Sequence, residues 1–554
     1  MKTLLRTWRT VRHLRPVQIK GQIRRRLLQA LPYMPPRPPG SALEASPIAS
    51  PCLVPETGSN SESSISSGRF VFLNQSRDLG RPPVWQREDL SKLWLYNLHY
   101  FDWLWLLDYS RGRDAVDDWI RRYPPGKDKA GWEPYPLTLR LANWALYFYG
   151  KYKEDLRMDP AFVRLLAPSL LLQGRMLRKN TEYHLLGNHY FDNGAVLALL
   201  GSIFRGPESE KWLRTGEKIM FEQIPEQILP DGTHFELSPM YQCRIAFLLI
   251  HLVGYGRSPL AEIAGEALGR TLASLERLTH PDGEIALFND SAFGIYPPPS
   301  ALHKSAEILN IALPRSSPGF WALPYAGYYG WKDGSGNYLI CDAGPTGPDY
   351  IPGHAHGDIF SFELSLAGTR FIVDTGVCGY SPGGLRSYCR STAAHNTVEI
   401  EKTDQSEFWG SFRVGHRARP REVRAAENGN GFSLSGWHDG YRHLSGRPIH
   451  RRTFRWQSSP PLLEIEDTIQ SSSDVRARSR FHIHPRVSIE REGPETLVLR
   501  RGTTAARISF PGCPGVTVGA APYCPEFSTE RSMPVIVAES SGRNIVFKTR
   551  VSLL

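Results

Sequence analysis

From about residue 86 the apolar positions recur with a helical period. Stretches at 90–107, 135–152, 162–177, 195–204 and 245–255 each carry an apolar stripe, and Pro124-Pro125 and Pro230-Asp231-Gly232 punctuate them as turns. Amphipathic helices of this kind continue to about Thr279 and close most simply as a toroid or superhelix. The period alone does not choose between those two. Near residue 336 the repeat falls to two: Phe360, Phe362, Leu364 and Leu366 alternate, Gly368 turns the chain, and Phe371-Ile372-Val373 follows. Val398 and Ile400, Phe432 and Leu434, Leu463 and Ile465, and Leu497 and Leu499 repeat that alternation to the C-terminus without a long helical stretch. A β-sandwich is the natural architecture for roughly 200 such residues. The expected division is a basic arm over 1–34, a Pro/Ser-rich linker over 35–68, a helical domain over 69–335 and a β domain over 336–554.

A length of 554 residues exceeds one compact core, in keeping with two blocks, and 41% hydrophobic with 22% charged residues is the balance of a globular protein. The net charge of +11 would suggest a polyanion partner, but it is concentrated. Nine Lys and Arg fall within residues 1–30, before the first acid at Glu44, which leaves the body near +2. Nucleic-acid binding would rest on that arm alone and is not expected. Leu4, Trp8, Val11 and Leu14 give the arm a loose helical spacing. It reads as packed on the body or solvated, with peripheral contact to an anionic membrane as the alternative. Basic residues interrupt any signal-peptide core, and no run of about 18 apolar residues spans a membrane. Seven scattered cysteines form neither zinc-finger spacing nor a disulfide framework. On these grounds the expected location is the cytoplasm.

Candidate chemistry lies in two clusters. In Gly353-His354-Ala355-His356-Gly357-Asp358 the two histidines share a face if the segment enters a strand, and Asp374 and His395 fall at the ends of neighbouring strand patterns. Two imidazoles and a carboxylate are a zinc-type donor set; inert, hydrogen-bonded strand-end histidines are the alternative. In the helical block, Tyr183-His184 to His189-Tyr190 and Asp231 to Tyr241 precede long apolar helices, where inter-helix loops would gather at one rim. Asn188 as a helix cap and Tyr241 as a packing residue are the plain alternatives.

The segments Leu93 to Phe101, Gly187-Asn188-His189, Phe235 to Tyr241, Gly353 to Asp358, Val373-Asp374-Thr375-Gly376 and Ala394 to Val398, in this order, resemble the signature of heparinase II/III-like polysaccharide lyases. The resemblance implies an α+β multidomain protein, with an incomplete (α/α) toroid followed by an antiparallel β-sandwich. It also implies β-elimination on a uronic-acid-containing polysaccharide (glycosaminoglycan-, alginate- or exopolysaccharide-like). Asn188 would neutralise the uronate carboxylate, Tyr241 would serve as acid and His354 as base. His189, His184, Glu236 and Arg140 would contact substrate. His356, Asp374 and His395 would hold a structural divalent metal, zinc by its donor set, and no organic cofactor is implied. The partner is then an acidic polysaccharide. Exported relatives make the periplasm the alternative location, and the missing export signal suggests a role in editing a bacterium's own surface polysaccharide. Two rival readings stand beside this one. A glycoside hydrolase would draft Glu236 with Asp231 or Asp290, and a non-catalytic assembly protein would bind polymer without cleaving it.

Overall fold

The computed structural model describes residues 2–30, 43–45, 58–127, 129–313, 317–513 and 515–554. Most of the expected linker, with Cys52, lies outside them. Helices Lys92–Tyr100, Tyr109–Arg122, Pro134–Leu146, Pro160–Lys179, Gly187–Ile203, Pro207–Gln227, Pro239–Tyr255 and Leu260–Arg277 build the helical domain. Ser91, Asp108, Asp159 and Ser238 each accept an N–H of the first helical turn, so these helices begin where the sequence supplies a cap. The helix expected over 90–107 is broken at Phe101, whose left-handed φ of 62° starts a separate 3₁₀ turn over Asp102–Leu106.

Strands begin at Gly319, ahead of the change of period near residue 336. Five antiparallel strands (Gly319–Leu323, Tyr328–Lys332, Tyr338–Asp342, Phe362–Leu366 and Thr369–Ile372) form the first sheet in chain order. The Tyr338–Asp342 and Phe362–Leu366 strands are buried throughout, because the sheet is covered on both faces. Tyr338 and Ile340 join Leu278 and Phe288 of the helical side, whereas Leu339 and Cys341 join the core shared with the second sheet. The strands at 319–332 are only partly buried and their apolar residues run together as Phe320-Trp321 and Tyr328-Tyr329, so a period-two search passes over them.

The second sheet has ten strands, centred on the long antiparallel pair Pro461–His482 and Arg531–Leu553. One polar cluster sits inside this sandwich. Arg452 and Asp467 face each other across neighbouring strands, and the guanidinium donates to both carboxylate oxygens at 2.6 and 2.9 Å. The same guanidinium donates to the carbonyls of Phe360 (2.8 Å) and Asn396 (2.5 Å). Asn396 in turn donates to the carbonyls of Phe362 and Val373 and accepts from the His482 N–H. Both sheets are thereby tied to the loop that carries His395.

Candidate active site

Asn188 and Tyr241, in the first turns of two helices, meet His354, on a loop, at the seam between the helical and β domains. Asn188 begins the helix Gly187–Ile203, after Leu186 and Gly187 with φ of 65° and 57°. A Cβ on Gly187 would lie 2.6 Å from Glu236 Oε1, so glycine admits that carboxylate to the helix N-terminus. There Glu236 accepts from the Asn188 backbone N–H at 2.8 Å and from its Nδ2 at 3.3 Å. Tyr241 lies in the first turn of Pro239–Tyr255, where the Ser238 hydroxyl accepts its backbone N–H. Leu237 and Asn289, also left-handed at 59° and 57°, immediately precede Ser238 and Asp290. Backbone held in that region beside a cleft is typical of sites that the surrounding packing enforces.

The Tyr241 and His354 rings lie 4.3 Å apart between centroids, and His354 Nε2 is 3.5 Å from Asn188 Nδ2 and 3.2 Å from Glu236 Oε2. His354 Nδ1 meets Asp290 Oδ2 at 2.8 Å. Asp290 is fully buried and also engages His356 Nε2 at 2.9 Å and both terminal nitrogens of Arg386. Burial alone would raise Asp290, but the Arg386 charge and both histidines hold it well below the carboxylate range. The ionised carboxylate is suited to accept the Nδ1–H of His354, which turns the Nε2 lone pair toward Asn188 and Glu236. Burial pushes Glu236 upward, toward its neutral form, against the pull of His354 and Asn188. The Tyr241 hydroxyl is 3.0 Å from that of Tyr380. Burial, with Tyr380 and Tyr296 adding to it, keeps Tyr241 protonated well above its ordinary range. Aromatic rings extend the wall, through Tyr296 beside Tyr241 and Tyr380 beside Phe412.

The expected contact residues divide. Glu236 is in the site. His189 is adjacent: its ring stacks on Tyr135 at 4.2 Å and its Nδ1 meets Glu182 at 3.1 Å. Burial opposes a charged His189, but the Glu182 carboxylate outweighs it and raises the ring's pKa. His184 lies at the outer rim against Arg25 of the arm. Arg140 is a correction. It is wholly buried in the helical core, over Trp119, and donates to Gln173 Oε1 and the Gly131 carbonyl. An arginine in the middle of Pro134–Leu146 reads as a rim cation only until nearly the whole helix is seen to be buried. Arg386 and Tyr380 had no sequence signal beyond their residue types. Asp290, which the sequence offers only as a hydrolase carboxyl, instead positions His354.

Behind His354 lies a metal-like cluster. One ligand atom from each of His356, Asp358 and His395 falls within 4.8 Å of the others, all three buried. His356 Nδ1 and His395 Nε2 have no hydrogen-bond partner among the described residues. Burial pulls His356 down to about 3, so its ring is neutral and able to ligate. Burial pushes Asp358 up to about 6, with Asp374 adding to it and His395 opposing it. Asp374, expected as a ligand, instead accepts from His395 Nδ1 at 2.8 Å and orients that ring. Asp358 takes its place because the chain turns at Gly357 and brings the carboxylate back beside His356. These residues fit a divalent cation: His356 offers an open lone pair, and Asp358 is a buried acid. His395, which burial lowers but Asp374 raises to about 9, would ligate by giving up its Nε2 proton in exchange for the cation.

Residues 114–292 match the heparinase II/III N-terminus and residues 315–550 match the heparinase II/III-like C-terminal domain. The chain belongs to the heparinase II/III-like family. Within that family it is 26% identical over 332 residues to the heparin-sulfate lyase of Pedobacter heparinus, covering 54% of this chain and 48% of that protein. It is 25% identical over 338 residues to the heparin-sulfate lyase of Bacteroides thetaiotaomicron, covering 52% and 47%. The chain thus matches about half the length of these curated relatives. A crystal structure of heparinase III superposes with a TM-score of 0.70 at 17% identity, covering 86% of this chain and 80% of that one. The shared heparinase II/III-like fold is the helical toroid joined to an antiparallel β-sandwich.

Proposed function

We propose that this protein is a polysaccharide lyase that cleaves a uronic-acid-containing polysaccharide by β-elimination. The observation that carries the reading is the meeting of His354 with Tyr241 at 4.3 Å and Asn188 at 3.5 Å. Removing the C5 proton of a uronate builds charge on the adjacent carboxylate, which needs donors rather than a further anion. Asn188 Nδ2 is one donor, and burial pushes Glu236 away from the charged form that would repel the uronate. His354 Nε2 takes the C5 proton, the electron pair forms the C4–C5 double bond, and the C4–O bond breaks. The Tyr241 proton then goes to the departing oxygen. A hydrolase reading would need two free carboxyl groups across the bond. Here Glu236 and Asp290 both bind the same imidazole, at its two nitrogens.

The test is optical. Protein incubated with a panel of uronate polymers should release product with the near-ultraviolet absorbance of an unsaturated uronate. The names of the curated relatives put heparan-type glycosaminoglycans first on that panel. Reducing ends without that absorbance would sink the lyase reading.

The metal of the His356, Asp358 and His395 cluster is zinc in this reading, on the strength of its nitrogen-rich donor set. Bound there, it braces the β domain behind Asp290 and His354 and takes no part in proton transfer. Protein purified without chelator should carry about one equivalent of zinc. Chelation, or His356→Ala, should lower the melting temperature before any direct effect on chemistry. Protein free of stoichiometric metal, with a melting curve indifferent to chelator, would return these residues to a hydrogen-bonding role.

A further inference from the structure

The basic arm is docked inside out. Its first helix, Lys2–Val11, meets the β domain through its polar side. Arg9 pairs with Glu407 at 2.7 Å, Arg6 lies over the Trp409 ring, and Trp409 Nε1 donates to the Thr10 hydroxyl. The second helix, Pro16–Ala30, packs with Gln18 and Gly21 inward. Gln18 donates to the Tyr350 carbonyl, and the close approach of Gly21 to His184 leaves no room for a Cβ. Arg15, between the helices, stacks on Tyr350 and pairs with Glu226. The arm therefore clasps both domains, beside the loops that lead to Asn188 and His354.

The opposite faces are apolar and point away from the body. On the first helix Leu4 is 76% exposed and Trp8 59%, with Leu5 and Val11 beside them. On the second, Ile19, Ile23 and Leu27 form one stripe at successive four-residue steps, Leu27 being 65% exposed. Lys20 and Arg24 flank that stripe on one side and Arg26 on the other, all exposed. Nine of the nineteen exposed large apolar side chains among the described residues lie in this arm, which holds no acid. A helix facing water alone would turn such a stripe inward. A polyanionic chain would be met by the cations and gain nothing from the leucines.

We propose that the arm is an interfacial anchor, which lays its apolar stripes into the surface of an anionic lipid bilayer with the flanking cations at the headgroups. Apolar residues bordered by Lys and Arg on a short amphipathic helix are the chemistry of that interface. Among the described residues no helix is long and apolar enough to cross a membrane, so the contact is peripheral. Because the arm holds the segments just before Asn188 and His354, anchoring brings that side of the protein to the bilayer, where polymer emerging from or attached to the surface would meet it.

Flotation of the full chain with lipid vesicles tests this without any polysaccharide. The protein should float with phosphatidylcholine vesicles that contain phosphatidylglycerol, remain behind with phosphatidylcholine alone, and be partly released by salt. Combined Leu4→Ser, Trp8→Ser, Ile23→Ser and Leu27→Ser should weaken flotation about tenfold or more with an unchanged melting temperature. Lys20→Gln with Arg26→Gln, which touches neither the stripe nor the body contacts, should weaken it as well. No flotation on anionic vesicles overturns the proposal. Retained flotation in the serine variant overturns it too, since cations alone would then suffice. A dimer that dissociates in the serine variant, with no vesicle binding by the parent, would assign the face to a second copy.

Discussion

Tyr241→Phe should lower turnover by about 10²–10⁴-fold, the loss typical of a missing general acid or base, with the fold intact. The ring keeps its packing against His354 and Tyr296, and the hydroxyl's partner in the free protein is Tyr380. Losing that one hydrogen bond costs about 1 kcal/mol, so the melting temperature should move little. The rate should fall because phenylalanine holds no proton at that position. Asn188→Ala should impair the same step, since the uronate carboxylate then loses its amide donor. Glu236→Gln separates the schemes: a neutral amide replaces a group that burial already pushes toward neutrality, so appreciable activity should remain. Initial rates and melting curves for the three variants decide the matter. Near-normal rates in Tyr241→Phe beside a dead Glu236→Gln would establish a carboxylate mechanism and end the lyase assignment.

The largest effect on stability should come from Asp467→Asn, at about 3–5 kcal/mol, because it strands a buried guanidinium. Arg452 and Asp467 are both fully buried, and His450 Nε2 reaches the same carboxylate at 2.7 Å. Burial would raise Asp467, but Arg452 first and then His450 depress it well below the usual carboxylate range. A depressed folded-state pKa gives stability that is present above the unfolded value, about 3.9, and lost as the pH falls through the folded value. The parent should therefore lose stability progressively below about pH 4, and Asp467→Asn should show a shallower slope there. Arg452→Met with Asp467→Leu should recover part of the loss, but the Phe360 and Asn396 carbonyls would remain unsatisfied. Chemical denaturation at several pH values measures all of this. A variant within about 0.5 kcal/mol of the parent would mean that the cluster is solvated or dispensable.

Much of the architecture is local information. The helical period from residue 86, the caps Ser91, Asp108, Asp159 and Ser238, and the alternation through Phe432–Leu434 and Leu463–Ile465 each follow from neighbours along the chain. The strands from Gly319 were less legible, because they are short and their apolar residues run together instead of alternating. The site was legible as residue types in order: Asn188, Tyr241 and His354 could be named from the sequence, and tertiary structure brings them together. Sequence could not say that Arg140 is a core residue, since its burial depends on which helices surround it. Nor could it choose Asp358 over Asp374 beside His356 and His395, because one turn at Gly357 sets which carboxylate points inward. Asp290 is the clearest case. It joins His354, His356 and Arg386, residues 64 to 96 positions away, and only the packing of the two domains makes it the hinge of the site. The arm likewise carried its composition openly, whereas which face it turns to water was decided by Glu407, Trp409, Tyr350 and His184 far along the chain.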